Sequence, residues 1–355
     1  MTAPVAPVRF AAIGLDHRHV DDQVTGFLEA GAICAGYCPE TSDPRVVERF
    51  RKLFPDIPPR PRAELLADPS IDLICCAAIP RDRADIAIAA MRAGKDVVVD
   101  KPGVTTFAQL DAVRAAVAET GRIFSICFTE RFLVRACEVA SDLVQAGAIG
   151  QVLQTVGLGP HRLNRAIRPS WFFDMEATGG ILVDIGAHQI DQFLYFTGSR
   201  DAGIVSARHA NLAHPDLPGF QDFGEVLLGT PAASGYVRLD WFTPDSLPTW
   251  GDGRLFILGS AGYLELRKYV DVGGRQGGDH VFLSNRSETR HIDASRTPLR
   301  YFRRLLDDVR RRTGTAMPQE HVFTVCRLSL EARQIADGGE SGAAAGLPPS
   351  AVPGI

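Results

Sequence analysis

The stretch Gly179–Asp191 (GGILVDIGAHQID) sets Asp184 and His188 four residues apart, with Gln189 and Asp191 beside them. On a helix that spacing brings a carboxylate and an imidazole to one face, a pairing suited to proton transfer near neutral pH. A buried, hydrogen-bonded histidine is the plain structural alternative. A second group, Asp100-Lys101-Pro102, closes the apolar run DVVVD. A lysine at the carboxyl end of a strand can stabilise an alkoxide developing on a substrate hydroxyl; the alternative is a solvated strand-end lysine. Of 38 basic residues, only Lys52, Lys95, Lys101 and Lys268 are lysines. That scarcity favours a function for Lys101. The other three read as surface residues.

A third group lies near the start. Val8–Gly14 (VRFAAIG) reads as a strand that ends in glycine and leads into a helix. A G-x-G-x-x-G turn placed there would bring backbone amides to a dinucleotide pyrophosphate. The run here is Gly14-Leu15-Asp16-His17-Arg18-His19, in which only the first glycine stands, and an ordinary strand–helix turn is the alternative. If a dinucleotide binds, Arg18 is expected toward the pyrophosphate and His17 toward the nicotinamide. A metal at His17 and His19 lacks a nearby carboxylate–histidine pattern to complete it, and none is expected. After the next strand candidate, Ala32–Cys38, cysteine falls where an acid would hold the adenosine ribose, and Glu40 is the acid within reach.

The elements that must position these groups alternate. Strand-like runs at 8–14, 32–38, 71–79, 96–100 and 123–128 are separated by helical stretches, of which 83–93 stops at Gly94 and another is capped by Thr105 or Thr106. This repeated alternation of strand and helix argues for a doubly wound parallel sheet. After residue 127 a helix (133–146), a strand (151–159) and a helix (180–196) precede short strands between 203 and 291, which imply a mostly antiparallel sheet. Two helices, 299–312 and 319–337, close the fold. The expected division is 1–127, an α/β dinucleotide domain; 128–338, an α+β substrate-binding and oligomerisation domain; and 339–355, a loose tail.

Composition narrows the function. The 355 residues carry a net charge of −4 and are 45% hydrophobic, an ordinary globular balance without the basic stripe of a nucleic-acid binder. No apolar run approaches the roughly 20 residues that span a bilayer. The opening segment lacks the apolar stretch of an export signal. Seven cysteines without a C-x-x-C read as buried thiols in a reducing cytoplasm.

Taken together, the three motifs resemble the glucose–fructose oxidoreductase / inositol dehydrogenase family (Gfo/Idh/MocA), over roughly residues 8–335. The most specific match is Gly179–Asp191, then Asp100-Lys101-Pro102 following Ala84–Gly94 (ADIAIAAMRAG). Asp100 stands where the family has glutamate, and the Gly14–His19 loop resembles a branch carrying G-L-D-H-x-H. The resemblance implies a Rossmann-type domain binding NAD or NADP, with Gly14, Asp16, His17, Arg18, Cys38, Glu40, Ala78, Pro80, Lys101 and Pro102 at the cofactor and a cis bond before Pro102. It implies Lys101 at the substrate hydroxyl, Asp184 orienting substrate and His188 as general acid/base. Arg131, His161, Arg168 and Trp171 fall where substrate-pocket residues occur, and Pro80 and Arg83 where relatives carry asparagine and histidine. The implied activity is hydride transfer between a nicotinamide and a carbinol of a sugar, cyclitol or sugar-derived acid, in a cytoplasmic homo-oligomer, dimer or tetramer. Oxidation–elimination chemistry on a glycoside, a non-catalytic dinucleotide sensor, and metal chemistry through His188, Asp184 and His161 are the alternatives.

Overall fold

The computed structural model describes residues 6–41 and 43–339; the tail expected at 339–355 lies outside them apart from Gly339. The first part alternates strand and helix: β1 (Arg9–Ala12), α1 (His19–Glu29), β2 (Ile33–Tyr37), α2 (Pro44–Leu53), α3 (Arg62–Ala67), β3 (Leu73–Cys76), α4 (Arg83–Arg92), β4 (Asp96–Asp100), α5 (Phe107–Thr120) and β5 (Phe124–Cys127). The five strands form one parallel sheet in the order β2-β1-β3-β4-β5. Every residue of β3, β4 and β5 is buried, as continuous apolar runs covered on both faces should be. α5 starts where its sequence signals put it: the Thr106 hydroxyl accepts from Gln109 N at 3.2 Å, and Gly121 ends the helix in the left-handed region.

These five strands fall within the five runs marked out in the sequence, and among the described residues no sixth follows β5 in the sheet. The free edge of β5 is met instead by the Gln319 side chain, whose amide oxygen accepts from Phe124 N (3.0 Å) and whose nitrogen donates to Phe124 O (2.8 Å). A side-chain amide offers the same donor and acceptor as a peptide group, so it satisfies the edge that a further strand would have covered.

The second part runs α6 (Thr129–Phe132), α7 (Arg135–Gln145), β6 (Val152–Pro160), α8 (Met175–Thr178), α9 (Ile181–Asp184), α10 (Gly186–Thr197), then β7 (Gly203–Ala210), β8 (Phe223–Gly229), β9 (Ser234–Asp240), β10 (Arg254–Gly259), β11 (Gly262–Arg267), β12 (His280–Asn285) and β13 (Thr289–Asp293), and ends with α11 (Tyr301–Arg311) and α12 (Gln319–Ala336). The eight strands make one sheet in the order β13-β12-β11-β10-β6-β9-β8-β7, antiparallel except where β6 runs alongside β9. α10 lies against β6 and β9, and α12 packs on α10, α9, α5 and β5, joining the parallel sheet and β7–β9 in one core, while β10–β12 pack with α7 in a second. The single helix expected over 180–196 is two, separated at Ile185.

Two of the lysines expected on the surface are not there. Lys95 is 4% exposed and donates to Asp68 O, and Lys268 is 2% exposed. Of the seven cysteines, Cys34 is half-buried, the rest are buried, and all are free thiols.

Candidate active site

The carboxyl end of β4 meets the end of α9. Lys101, directly after β4, donates from Nζ to Asp184 Oδ1 at 2.7 Å. Burial pushes the Asp184 carboxyl up, but the adjacent Lys101 charge outweighs it and holds the group below the ordinary carboxylate range. His188 lies on the first turn of α10, 1% exposed, with its ring edge toward Phe128. Its Nδ1 has no hydrogen-bond partner among the described residues. Burial, with Lys101 adding to it, brings the imidazole down to about 3, so the ring is neutral and able to accept a proton.

Beneath Lys101 the strand end is clamped. Arg83 is 1% exposed; its Nε donates to Ala78 O (2.7 Å), its Nη1 to the carbonyls of Asp100, Lys101 and Pro102, and its Nη2 to Asp100 Oδ2 (3.1 Å). The same Asp100 carboxylate faces His17 Nδ1 (3.1 Å) and His19 Nδ1 (2.9 Å). The carboxylate absent from the sequence around His17 and His19 is therefore supplied by β4, 81 residues away from His19. The trio His17, His19 and Asp100 has ligand atoms close enough to share a cation. Arg83 already gives that carboxylate a positive partner, and two imidazoles complete it. Asp100 thus anchors the loop. Burial brings His17 down to about 3, and the charge of His19 adds to this against the pull of Asp100.

Gly14 adopts φ +80°, and a Cβ there would stand 2.5 Å from the Ala78 Cβ, so this turn admits glycine alone. Gly14, Asp16, Cys38, Glu40, Arg62 and Ala78 line a groove of about 380 Å³ at the carboxyl edge of the parallel sheet. Open α/β sheets take their ligands at that edge. Asp16 is tied to Thr41, whose hydroxyl donates to its Oδ1 at 2.6 Å. The groove offers carboxylates for ribose hydroxyls and one guanidinium, a donor set that fits a dinucleotide. Arg18 is exposed at the start of α1. Pro80 is buried and opens a short turn, Pro80–Asp82. The Lys101–Pro102 bond is cis, and Pro102 faces an apolar recess with Val104, Phe128 and Ala187.

The remaining substrate candidates divide. Arg168 donates from Nε to Leu163 O (2.8 Å) and stacks on Phe172, with its centre 4.3 Å from the ring. Burial lowers it while Asp184 raises it, which places it in electrostatic reach of the site. Trp171 neighbours Phe172 on the short helical turn Ser170–Phe173. His161 stands at the end of β6 between Trp241 and Trp250. Arg131 is different. Its Nε and Nη2 both bind Asp191 (2.6 and 2.7 Å), its guanidinium lies between the Phe132 and Tyr195 rings, and His321 closes the other side of Asp191. Its charge is spent within the scaffold, on a cavity that none of Lys101, Asp184 and His188 lines.

Residues 21–128 match a family profile described as "Oxidoreductase family, NAD-binding Rossmann fold", and residues 138–265 match "GFO/IDH/MocA C-terminal domain". The chain belongs to the Gfo/Idh/MocA family. A crystal structure described as an oxidoreductase from Erwinia carotovora atroseptica is 48% identical, covers 93% of this chain and 98% of its own, and superposes with a TM-score of 0.89. Scyllo-inositol 2-dehydrogenase (NAD(+)) of Bacillus subtilis is 26% identical over 261 residues, 72% of each chain. Levoglucosan dehydrogenase of Pseudarthrobacter phenanthrenivorans is 32% identical over 171 residues, 47% of this chain and 42% of its own. The enzyme is thus an NAD(P)-binding oxidoreductase of this family, and no helix among its described residues is long and apolar enough to cross a membrane.

Two buried residues of this region, Glu130 and Lys268, escape the sequence reading. Lysine scarcity flagged Lys268, but its neighbour Arg267 suggests an exposed strand end, and its partner lies 138 residues away.

Proposed function

We propose that this Gfo/Idh/MocA enzyme transfers a hydride between a nicotinamide dinucleotide and a carbinol carbon of a sugar, cyclitol or sugar-derived acid. The observation that carries it is the Lys101–Asp184 contact at 2.7 Å beside a buried, neutral His188. In the oxidative direction His188 takes the hydroxyl proton, Lys101 stabilises the oxygen as its charge grows, and Asp184 holds Lys101 and a neighbouring hydroxyl in place. A bound nicotinamide would supply the hydride acceptor. Burial of Lys101 and His188 keeps water from the reacting carbon and strengthens each charge interaction there. Arg168 and Trp171 would meet the far end of the substrate, and the relatives acting on inositol and levoglucosan support a polyhydroxylated ligand.

The test is a panel of sugars, cyclitols and sugar acids assayed by nicotinamide absorbance with both cofactors, followed by Lys101→Ala and His188→Ala. Each substitution should lower kcat by roughly 10² to 10⁴. Wild-type turnover in both variants would sink the assignment. Net cleavage of a glycoside without change in nicotinamide absorbance would favour oxidation–elimination instead.

A further inference from the structure

Behind His188 lies a buried charged group with no part in the roles above. Glu130, on α6 directly after β5, is 1% exposed, and the Lys268 side chain, directly after β11, is fully enclosed. Glu130 Oε2 accepts from Lys268 Nζ at 2.9 Å and from Gln189 Nε2 at 2.8 Å. Its other oxygen, Oε1, has no hydrogen-bond partner among the described residues and stands 3.8 Å from His161 Nε2. Gln189 is the residue after His188, so the carboxylate is tied to the turn that carries the imidazole. β6 is shaped for this tie. A Cβ on Gly157 would lie 2.5 Å from Gln189 Oε1, and one on Gly159 would lie 3.1 Å from its Nε2. His161 continues the same face of the strand two residues on.

A buried ion pair is a poor device for stability alone, because apolar residues of similar volume commonly do as well. A pair that exists only to be buried would also be expected to use both carboxylate oxygens. Here one oxygen is left toward an imidazole.

We propose that Glu130, held by Lys268 and Gln189, is the positioning anion of the site, supplying the counter-charge for a proton held on His188 or His161. The proposal rests on the acid–base role given to His188. In oxidation the carbinol O–H bond breaks, its proton passes to a His188 ring nitrogen, and the C–H electron pair leaves as hydride to the nicotinamide. The imidazolium left behind is buried. Lys101, His161 and His19 oppose its charge, and Glu130 is the anion that favours it. His161 faces Glu130 and Asp184, which favour its protonation, and Lys101, which opposes it. His161 Nδ1 lies 3.1 Å from Gly159 O, so a protonated ring donates there and turns its second N–H toward Glu130 Oε1. The Glu130 carboxyl itself, pushed up by burial, is held below its ordinary range chiefly by Lys268, so the anion persists at neutral pH.

The test is the double variant Glu130→Gln/Lys268→Met, which removes both charges at nearly constant volume and strands neither. Its fold is checked by thermal melting and its cofactor site by NADH fluorescence. Scyllo-inositol and levoglucosan serve as probe substrates. The acid limb of the kcat profile should move to lower pH by about one unit and its plateau fall about tenfold, with KM changed less than about twofold. Histidine ¹⁵N spectra should show proton uptake at His161 and His188 displaced the same way, and these decide the matter if neither polyol is turned over. Profiles and spectra superimposable on the wild type would overturn the proposal. Should the double variant not fold, Glu130→Asp keeps the pair but withdraws the carboxylate from His161. It should then move the limb in the same direction by about 0.3 to 0.5 unit, and an unmoved limb is the overturning result. His188→Ala separates the two ideas. Undiminished turnover in it removes the reading of the site, whereas lost turnover beside an unchanged double-variant profile removes only the role of Glu130.

Discussion

Asp100 and Arg83 explain how a loop with one glycine keeps its shape. The carboxylate has no solvent exposure, and burial pushes its pKa up, yet His19, Arg83 and His17 together hold it well below the ordinary range. Removing one partner of such a buried pair typically costs about 3–5 kcal/mol, because the remaining charge is left unmatched. Arg83→Met is expected to lose stability of that order in urea titration and to lower turnover, since the carbonyls of Asp100, Lys101 and Pro102 lose their common donor. A loss under about 1 kcal/mol would show that the two histidines suffice for Asp100. Lys101 was legible in the sequence because it sits in a motif at a strand end. Lys268 was not, since a residue flanked by Arg267 in an alternating strand gives no local sign of burial. The resemblance put Arg131 in the substrate pocket, but its partner Asp191, 60 residues on, holds its charge in the scaffold.

At the scale of elements, the eight-stranded sheet leaves one face uncovered. One row of that face is apolar, Leu227, Tyr236, Val156 and Phe256 in turn, with Leu258 opposite Tyr263 beside it and the charged Glu225, Arg238, Arg254 and Glu265 around it. Leu227, Leu258 and Tyr263 are each more than a third exposed. An apolar row rimmed by charges on an open sheet favours association, and we propose that a second copy of the chain covers it. Tyr236→Asp with Phe256→Asp should reduce the mass measured by light scattering to that of one chain. A wild-type protein that is already monomeric at micromolar concentration would refute it. The apolar alternation that builds this sheet was readable, as were the αβ rhythm and the Thr106 cap. The break between α9 and α10 was not, because no local signal marks it: there His188 N reaches back only three residues, to Ile185 O at 3.1 Å, a tighter turn than the helices on either side.

Across the whole molecule, one buried histidine, His188, and two half-buried ones, His17 and His161, set a pH dependence of folding. His17 and His188 are brought to about 3, and His161 to about 4, chiefly by burial, from an ordinary value of 6.5. Below that ordinary value the unfolded chain binds protons that the native rings refuse, so stability is full above it and falls as pH drops toward the native values. Each ring contributes a slope of up to about 1.4 kcal/mol per pH unit within that window. The lowered carboxyls Asp100, Asp184 and Glu130 act in the same sense at the acid end. The urea midpoint should therefore decline between about pH 6.5 and 4.5, and a midpoint flat over that range would contradict the burial of these rings.

Periodicity, capping residues and strand-end motifs are local properties, and they determined the order of the elements, the parallel and antiparallel halves, and the likeness to an oxidoreductase family through Lys101, Asp184 and His188. Charge pairing is not local. Asp100 with His17 and His19, Glu130 with Lys268, and Arg131 with Asp191 join residues that are remote in sequence. A buried charge is tolerated only where an opposite one is brought to it, and which chain segments come together in the core is decided by packing. The trio proposed for catalysis is a pattern along the chain; the charges packed around it became visible only when the two sheets closed on one another.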